Sequence, residues 1–112
     1  MATKKTAEHH EFDPNAAAAE GTGIFGLPFG YEESRVVIIP VPFGATVSYG
    51  MGTEKGPAAI LKASKQVDLY DEGASKQFWR QGIFLNKADP EIGRLHRLCK
   101  KLRKRIERGE KE

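Results

Sequence analysis

One cysteine, Cys99, stands in 112 residues, so no disulfide closes within the chain, and that scarcity suits a reducing compartment. Tryptophan is equally scarce, with Trp79 alone, and no aromatic residue follows Phe84. The second absence argues against base stacking by the basic C-terminal segment. No apolar run approaches the length of a membrane-spanning helix, and no charged-then-apolar leader precedes a small-residue cleavage site. The expectation is a soluble cytoplasmic protein without membrane or nucleic-acid partners. With 39% hydrophobic residues and a mean hydropathy of −0.50, the chain has material for one modest core.

Charge is plentiful but unevenly placed. Residues 94–112 hold nine Lys or Arg against three Glu, whereas residues 1–93 hold nine against twelve acids. The net charge of +3 therefore belongs entirely to the C-terminal segment.

Residues 1–11 are polar, lack periodicity and read as a disordered tail, with His9 and His10 as solvated side chains. Residues 12–112 form one segment of an α/β domain. Asp13-Pro14-Asn15 is a turn, and Ala16 to Ala19 offer one helical turn at most. Ile24, Phe25, Leu27 and Phe29 lie in a Gly/Pro-punctuated loop and are expected to pack. Val36-Val37-Ile38-Ile39 is a β-branched run without polar alternation, the pattern of a parallel strand buried on both faces.

Pro40 and Pro42 end that strand. A loop with Gly44, Gly50, Gly52 and Gly56 follows, and Pro57 starts a helix. Ile60, Ala63, Ser64 and Val67 then recur at helical spacing as its expected inner face. Residues 66–70 continue the helix or form a short strand. Asp71-Glu72-Gly73 is a stop signal, and Ile83-Phe84-Leu85 is a second short strand. Asp89 as N-cap, Pro90 at the first position and Glu91 near the positive dipole end open a last helix, which Gly109 closes. Its apolar stripe, Leu95, Leu98 and Leu102, is expected to dock on the domain. His96 is expected to face solvent, and Cys99 to act as a small buried hydrophobe.

The glycines space as G-x-G-x-x-x-G, one residue too long for a dinucleotide fingerprint and far beyond the strand's end; the P-loop pattern is absent. The reading left is structural: glycines supply positive φ in an irregular loop. Asp68, Asp71 and Glu72 cluster in sequence with no histidine, so no catalytic residue and no metal ligand is assigned. The loop exceeds an ordinary βα connection, which points to function. Its hydroxyls Thr46, Ser48, Tyr49 and Thr53 suit the orientation of a small polar substrate.

Over these residues the chain resembles a ureohydrolase of the arginase, agmatinase and formiminoglutamase family, most nearly the agmatinase-type branch. VVIIPVPF, SYGMGTEKGPAAILKAS and QVDLYDEG carry the likeness, with FDPNAAA and GIFGLPFG resembling the lead-in. The resemblance implies the N-terminal part of a three-layer α/β/α domain with a parallel sheet, incomplete here. It also implies Mn²⁺-dependent hydrolysis of a guanidino or amidino C–N bond, a small guanidino or amidino substrate, homo-oligomeric intact members, and a pocket rim at Thr46, Ser48 and Tyr49. The family's G-G-D-H, D-x-H-x-D and D-x-D metal motifs are absent, so the chain alone is expected to be inactive. The alternative is a small basic module that binds nucleic acid or a partner through the 90–108 helix.

Overall fold

The computed structural model describes residues 12–14, 16–19, 21–69 and 77–109. The tail expected at residues 1–11, with His9 and His10, and the expected stop signal at Asp71-Glu72-Gly73 lie outside the described residues. The rest falls into two compact units. The first joins residues up to Ile38 with Leu61–Asn86; the second joins Ile39–Ile60 with the residues from Lys87 onward.

The first unit carries the sheet. Strand β1, Val36–Ile38, pairs in parallel with strand β2, Ile83–Leu85, in the register Val36 to Ile83, Val37 to Phe84 and Ile38 to Leu85. The β-branched run thus forms the expected strand, and the second short strand is its partner. Full burial on both faces is not reached: Val36 is exposed, Val37 and Ile38 are half-buried, and Ile39 is exposed beyond the strand. A parallel pair is ordinarily sandwiched by helices with further strands at its edges. Among the described residues the sheet has only these two strands.

Gly82 sets the entry to β2. Its φ is +80°, and a Cβ there would lie 2.7 Å from the Glu33 carbonyl oxygen and 2.8 Å from Ser34 Cα. Only a residue without a side chain lets the two segments approach so closely. The Gly82 carbonyl in return accepts from the N–H groups of Arg35 and Val36, starting the ladder.

The core of this unit is built from the Gly/Pro-punctuated loop. Ile24 and Leu27 are almost wholly buried, as is Trp79, against which Phe12 packs edge-on. Phe25 adopts a left-handed φ of 58°, uncommon for a bulky residue, and donates its N–H to Ser64 Oγ at 2.9 Å. The Asp13-Pro14 turn closes through Ala16 N–H to the Asp13 carbonyl, and Ala16 to Ala19 form no helical turn. Four residues cannot repay helix nucleation.

Helix α1, Gly56–Ser64, begins one residue before Pro57 as the proline signal requires. Its expected inner face is corrected. Ile60, Ala63 and Val67 are exposed, and only Ser64 is buried, where its hydroxyl bonds Phe25 and the Leu61 carbonyl. Residues 66–69 are neither helix nor strand; the helix ends in a turn closed by the Gln66 and Val67 N–H groups onto the Ala63 and Ser64 carbonyls, and Asp68 and Leu69 follow without regular structure.

Helix α2, Pro90–Glu107, belongs to the second unit and has the ends the sequence specifies. Asp89 Oδ1 accepts from Glu91 N–H at 2.9 Å, Pro90 fills the first position, and Gly109 takes a φ of +75° just past the C-cap. Among the described residues, no helix is long and apolar enough to cross a membrane.

Candidate functional site

The segment after β1 is shaped by proline and glycine before any side chain contributes. Phe43 N–H turns back to the Val41 carbonyl at 2.8 Å around Pro42, a three-residue turn. Gly50 and Gly52 have φ of +66° and +120°, backbone states that side-chain-bearing residues rarely adopt. A single turn of 3₁₀ helix at Thr53–Lys55 then leads into α1.

Gly44 serves a different end, close approach. A Cβ there would meet Glu54 Oε2 at 3.1 Å, Glu54 N at 3.2 Å and Thr53 Cβ at 3.2 Å. The two ends of the loop therefore touch at Gly44, and the residues between them form a closed bight.

Helix α2 holds this bight from one side. The Gly44 N–H donates to His96 Nδ1 at 3.1 Å, a buried bond across 52 positions of sequence. Phe43 packs edge-on against the imidazole, ring centroids 5.8 Å apart. Because Nδ1 accepts, the ring proton sits on Nε2, which faces Glu54 Oε1 at 3.7 Å. Two turns further along α2, the Arg103 guanidinium donates to the Ala45 carbonyl at 3.1 Å and to the Val47 carbonyl. Glu107 fixes that guanidinium from the next turn through Nε at 2.9 Å. Both carbonyls accept from Nη1 and Glu107 accepts from Nε, a division of donors that the planar guanidinium provides and a single ammonium does not.

His96 is 7% exposed, which corrects the solvent-facing expectation. The expected docking stripe is corrected with it. Leu95, Leu98 and Leu102 are exposed, and α2 turns His96 and Arg103, with half-buried Ile92, Cys99 and Lys100, away from solvent instead. Loop carbonyls and an N–H need polar partners, and that need selects the polar row of the helix.

Thr46, Ser48 and Tyr49 lie together on the outer arc of the bight, all exposed, with Tyr49 at 90%. The clamp holds the backbone at residues 44, 45 and 47 and leaves these hydroxyls outward. Sequence reasoning missed His96, Arg103 and Glu54. The one local signal was the row of His96 and Arg103 on α2, seven positions apart beside the leucines; nothing local marked Glu54.

Glu54 Oε2 is buried with no hydrogen-bond partner among the described residues. An unsatisfied buried carboxylate oxygen is costly and marks a place where function or a further contact is to be sought. The pair Glu54 and His96 supplies two oxygens and one nitrogen. Among the described residues no group of three His, Cys, Asp or Glu is arranged to hold a metal ion. The two-ion Mn²⁺ centre implied by the resemblance needs several converging carboxylates and imidazoles. These residues do not fit it, and no metal-dependent step is assigned to them.

The parallel strand pair, the loop and the helices are consistent with an incomplete α/β fragment, and the sequence comparisons name the class. The arginase family model matches residues 34–110, and the chain belongs to the arginase family. Among curated proteins, it is 50% identical over 42 residues to an N(1)-aminopropylagmatine ureohydrolase of Synechocystis sp.. That match covers 38% of this chain and 14% of the relative. It is 43% identical over 49 residues to an N(1)-aminopropylagmatine ureohydrolase of Thermus thermophilus, covering 42% of this chain and 17% of the relative. The matched stretch is thus a small part of each relative's length. No solved structure matches the chain.

Proposed function

We propose that this chain supplies the strand, rim loop and helices of an agmatinase-type ureohydrolase, and that it is not catalytic by itself. The reaction of the assembled domain would be hydrolysis of a guanidino or amidino C–N bond, on a small cationic substrate of the agmatine or aminopropylagmatine kind. The Mn²⁺ ions and their ligands belong to parts of the family domain that these residues do not supply. Thr46, Ser48 and Tyr49 act as rim contacts for the substrate, and the single cysteine suits work in the cytoplasm.

One observation carries this reading. The long loop after β1, inside the family-matched region, is held at its backbone by His96 and Arg103 while its hydroxyls face outward. A loop that only connected would need no such fastening. In open parallel sheets, ligands gather beyond the carboxyl ends of the strands, where such loops begin. Calorimetry on the purified chain is expected to find no stoichiometric Mn²⁺ site, and a urea assay no release from agmatine or N(1)-aminopropylagmatine. A micromolar Mn²⁺ isotherm of integral stoichiometry, or catalytic urea release, overturns the assignment of chemistry to other residues.

A further inference from the structure

Glu54 and His96 meet at the neck of the bight, with side chains 18% and 9% exposed, yet neither completes the other. Glu54 Oε2 is closed off from solvent and accepts no hydrogen bond among the described residues. Glu54 Oε1 lies 3.7 Å from His96 Nε2, beyond hydrogen-bond length. The acceptor of the imidazole is engaged elsewhere, on the Gly44 N–H at 3.1 Å. All three residues belong to the second unit, so these contacts are internal to it.

One proton decides which neighbour the ring serves. A neutral imidazole has one acceptor and one donor, so it can hold Gly44 and leave the carboxylate uncompensated. A protonated imidazole has two donors and no acceptor. Its Nδ1–H would meet the Gly44 N–H donor to donor, and that bond is lost. Its Nε2–H and its charge are drawn to Glu54, where an approach of about 1 Å gives a charge-assisted bond. Each form satisfies one group and abandons the other. Imidazole is also the side chain that ordinarily gains its proton between about pH 5 and pH 8.

The other charged groups near the ring leave this choice to Glu54. Lys55 on the same turn and Arg97 on α2 are exposed, and Tyr49 on the loop is 90% exposed. Glu91 and Arg94 pair with each other in solvent. Lys100, one turn on from His96 and half-buried, is a cation that opposes the proton. Arg103 is committed to the Ala45 and Val47 carbonyls and to Glu107. A guanidinium keeps its charge throughout this range, so residues 45 and 47 are held in either state.

We propose that His96 and Glu54 form a proton-operated latch at the neck of the loop. Neutral His96 fastens Gly44; protonated His96 releases it and pairs with Glu54. His96 is thus a positioning residue for the loop, whether or not the loop's hydroxyls meet a substrate.

The test is NMR on the isotopically labelled full chain, titrated between about pH 8 and pH 5. At the upper end the ring nitrogens of His96 are expected to report the Nε2–H tautomer. Protection of the Gly44 amide, corrected for the intrinsic pH dependence of exchange, is expected to fall by about tenfold or more as His96 titrates. Circular dichroism is expected to stay constant over the same range. In Glu54→Gln the His96 midpoint is expected to move to lower pH, because the stabilising negative charge is gone, and Gly44 release moves with it. His96→Asn keeps an acceptor but cannot titrate, so its Gly44 protection is expected to be flat. Gly44 staying protected while His96 titrates, or no titration of His96 in the range, overturns the latch. An unmoved midpoint in Glu54→Gln removes Glu54 from it. An equal acid loss in His96→Asn, or a parallel loss of circular dichroism, overturns it as well, since either assigns the release to general loosening of the chain.

Discussion

The backbone N–H of Gly44 ends on the imidazole of His96, 3.1 Å away at Nδ1. This bond ties the first turn of the loop to the second turn of a helix that begins far later in the chain. Removing the acceptor leaves a buried N–H unpartnered. His96→Ala is therefore expected to cost about 1–3 kcal/mol of stability by urea denaturation. His96→Asn keeps an acceptor near the Nδ1 position and is expected to recover part of the loss. Equal costs for the two variants would show that ring packing, not the hydrogen bond, is what matters.

Arg103 makes a separate prediction because its role depends on the shape of the fork. Arg103→Lys retains the charge and one donor nitrogen for the Ala45 and Val47 carbonyls but has no second nitrogen to hold Glu107 at the same time. Limited proteolysis within residues 45–50 is expected to accelerate in Arg103→Lys nearly as much as in Arg103→Met. Protection equal to the parent chain in Arg103→Lys would reduce the contact to simple charge.

Gly82 is the position where a methyl group does most damage. Its backbone is left-handed and its would-be Cβ overlaps backbone atoms of Glu33 and Ser34, which cannot rotate away. Gly82→Ala is expected to cost about 3 kcal/mol or more and to unpair β1 from β2. A near-neutral Ala variant would show that the two segments are further apart than described.

The Glu91–Arg94 pair on α2 gives a pH-dependent signature. Hydrogen bonding to the Arg94 guanidinium lowers the Glu91 carboxyl below its ordinary value, and the same contact raises Arg94. A carboxyl lowered in the folded state stabilises it above the unfolded value, and that contribution is lost as pH falls through the folded one. The site is fully exposed, so the effect on stability is small and the titration is the better readout. Carboxyl-carbon NMR is expected to show Glu91 titrating below the ordinary value of a glutamate carboxyl, and to return toward it in Arg94→Gln. An unchanged midpoint in that variant contradicts the assignment.

How far the sequence could be read follows from which signals are local. The β-branched run at Val36, the turn at Asp13, the Asp89–Pro90 start and the Gly109 stop all rest on backbone preferences of a few adjacent residues, and each element stands where those preferences put it. Helix faces were misjudged for a common reason. Periodicity reports which side of a helix is apolar, and burial depends on what lies opposite. In α2 the loop carbonyls and the Gly44 N–H claimed the polar row, and the leucines were left exposed. In α1 the buried position is Ser64, chosen by the strained Phe25 backbone rather than by hydrophobicity. The clamp itself joins residues that no window of local sequence contains.

The rim role proposed for the loop is tested most directly in a working enzyme. Residues 43–56 of this chain, grafted into the Thermus thermophilus N(1)-aminopropylagmatine ureohydrolase, provide an active background in which Thr46→Val and Tyr49→Phe can be compared. The account predicts that kcat/KM falls or substrate preference shifts in these variants while metal content and Tm hold. Unchanged kcat/KM and preference in both variants would contradict it, and would leave the loop's hydroxyls with no part in substrate recognition.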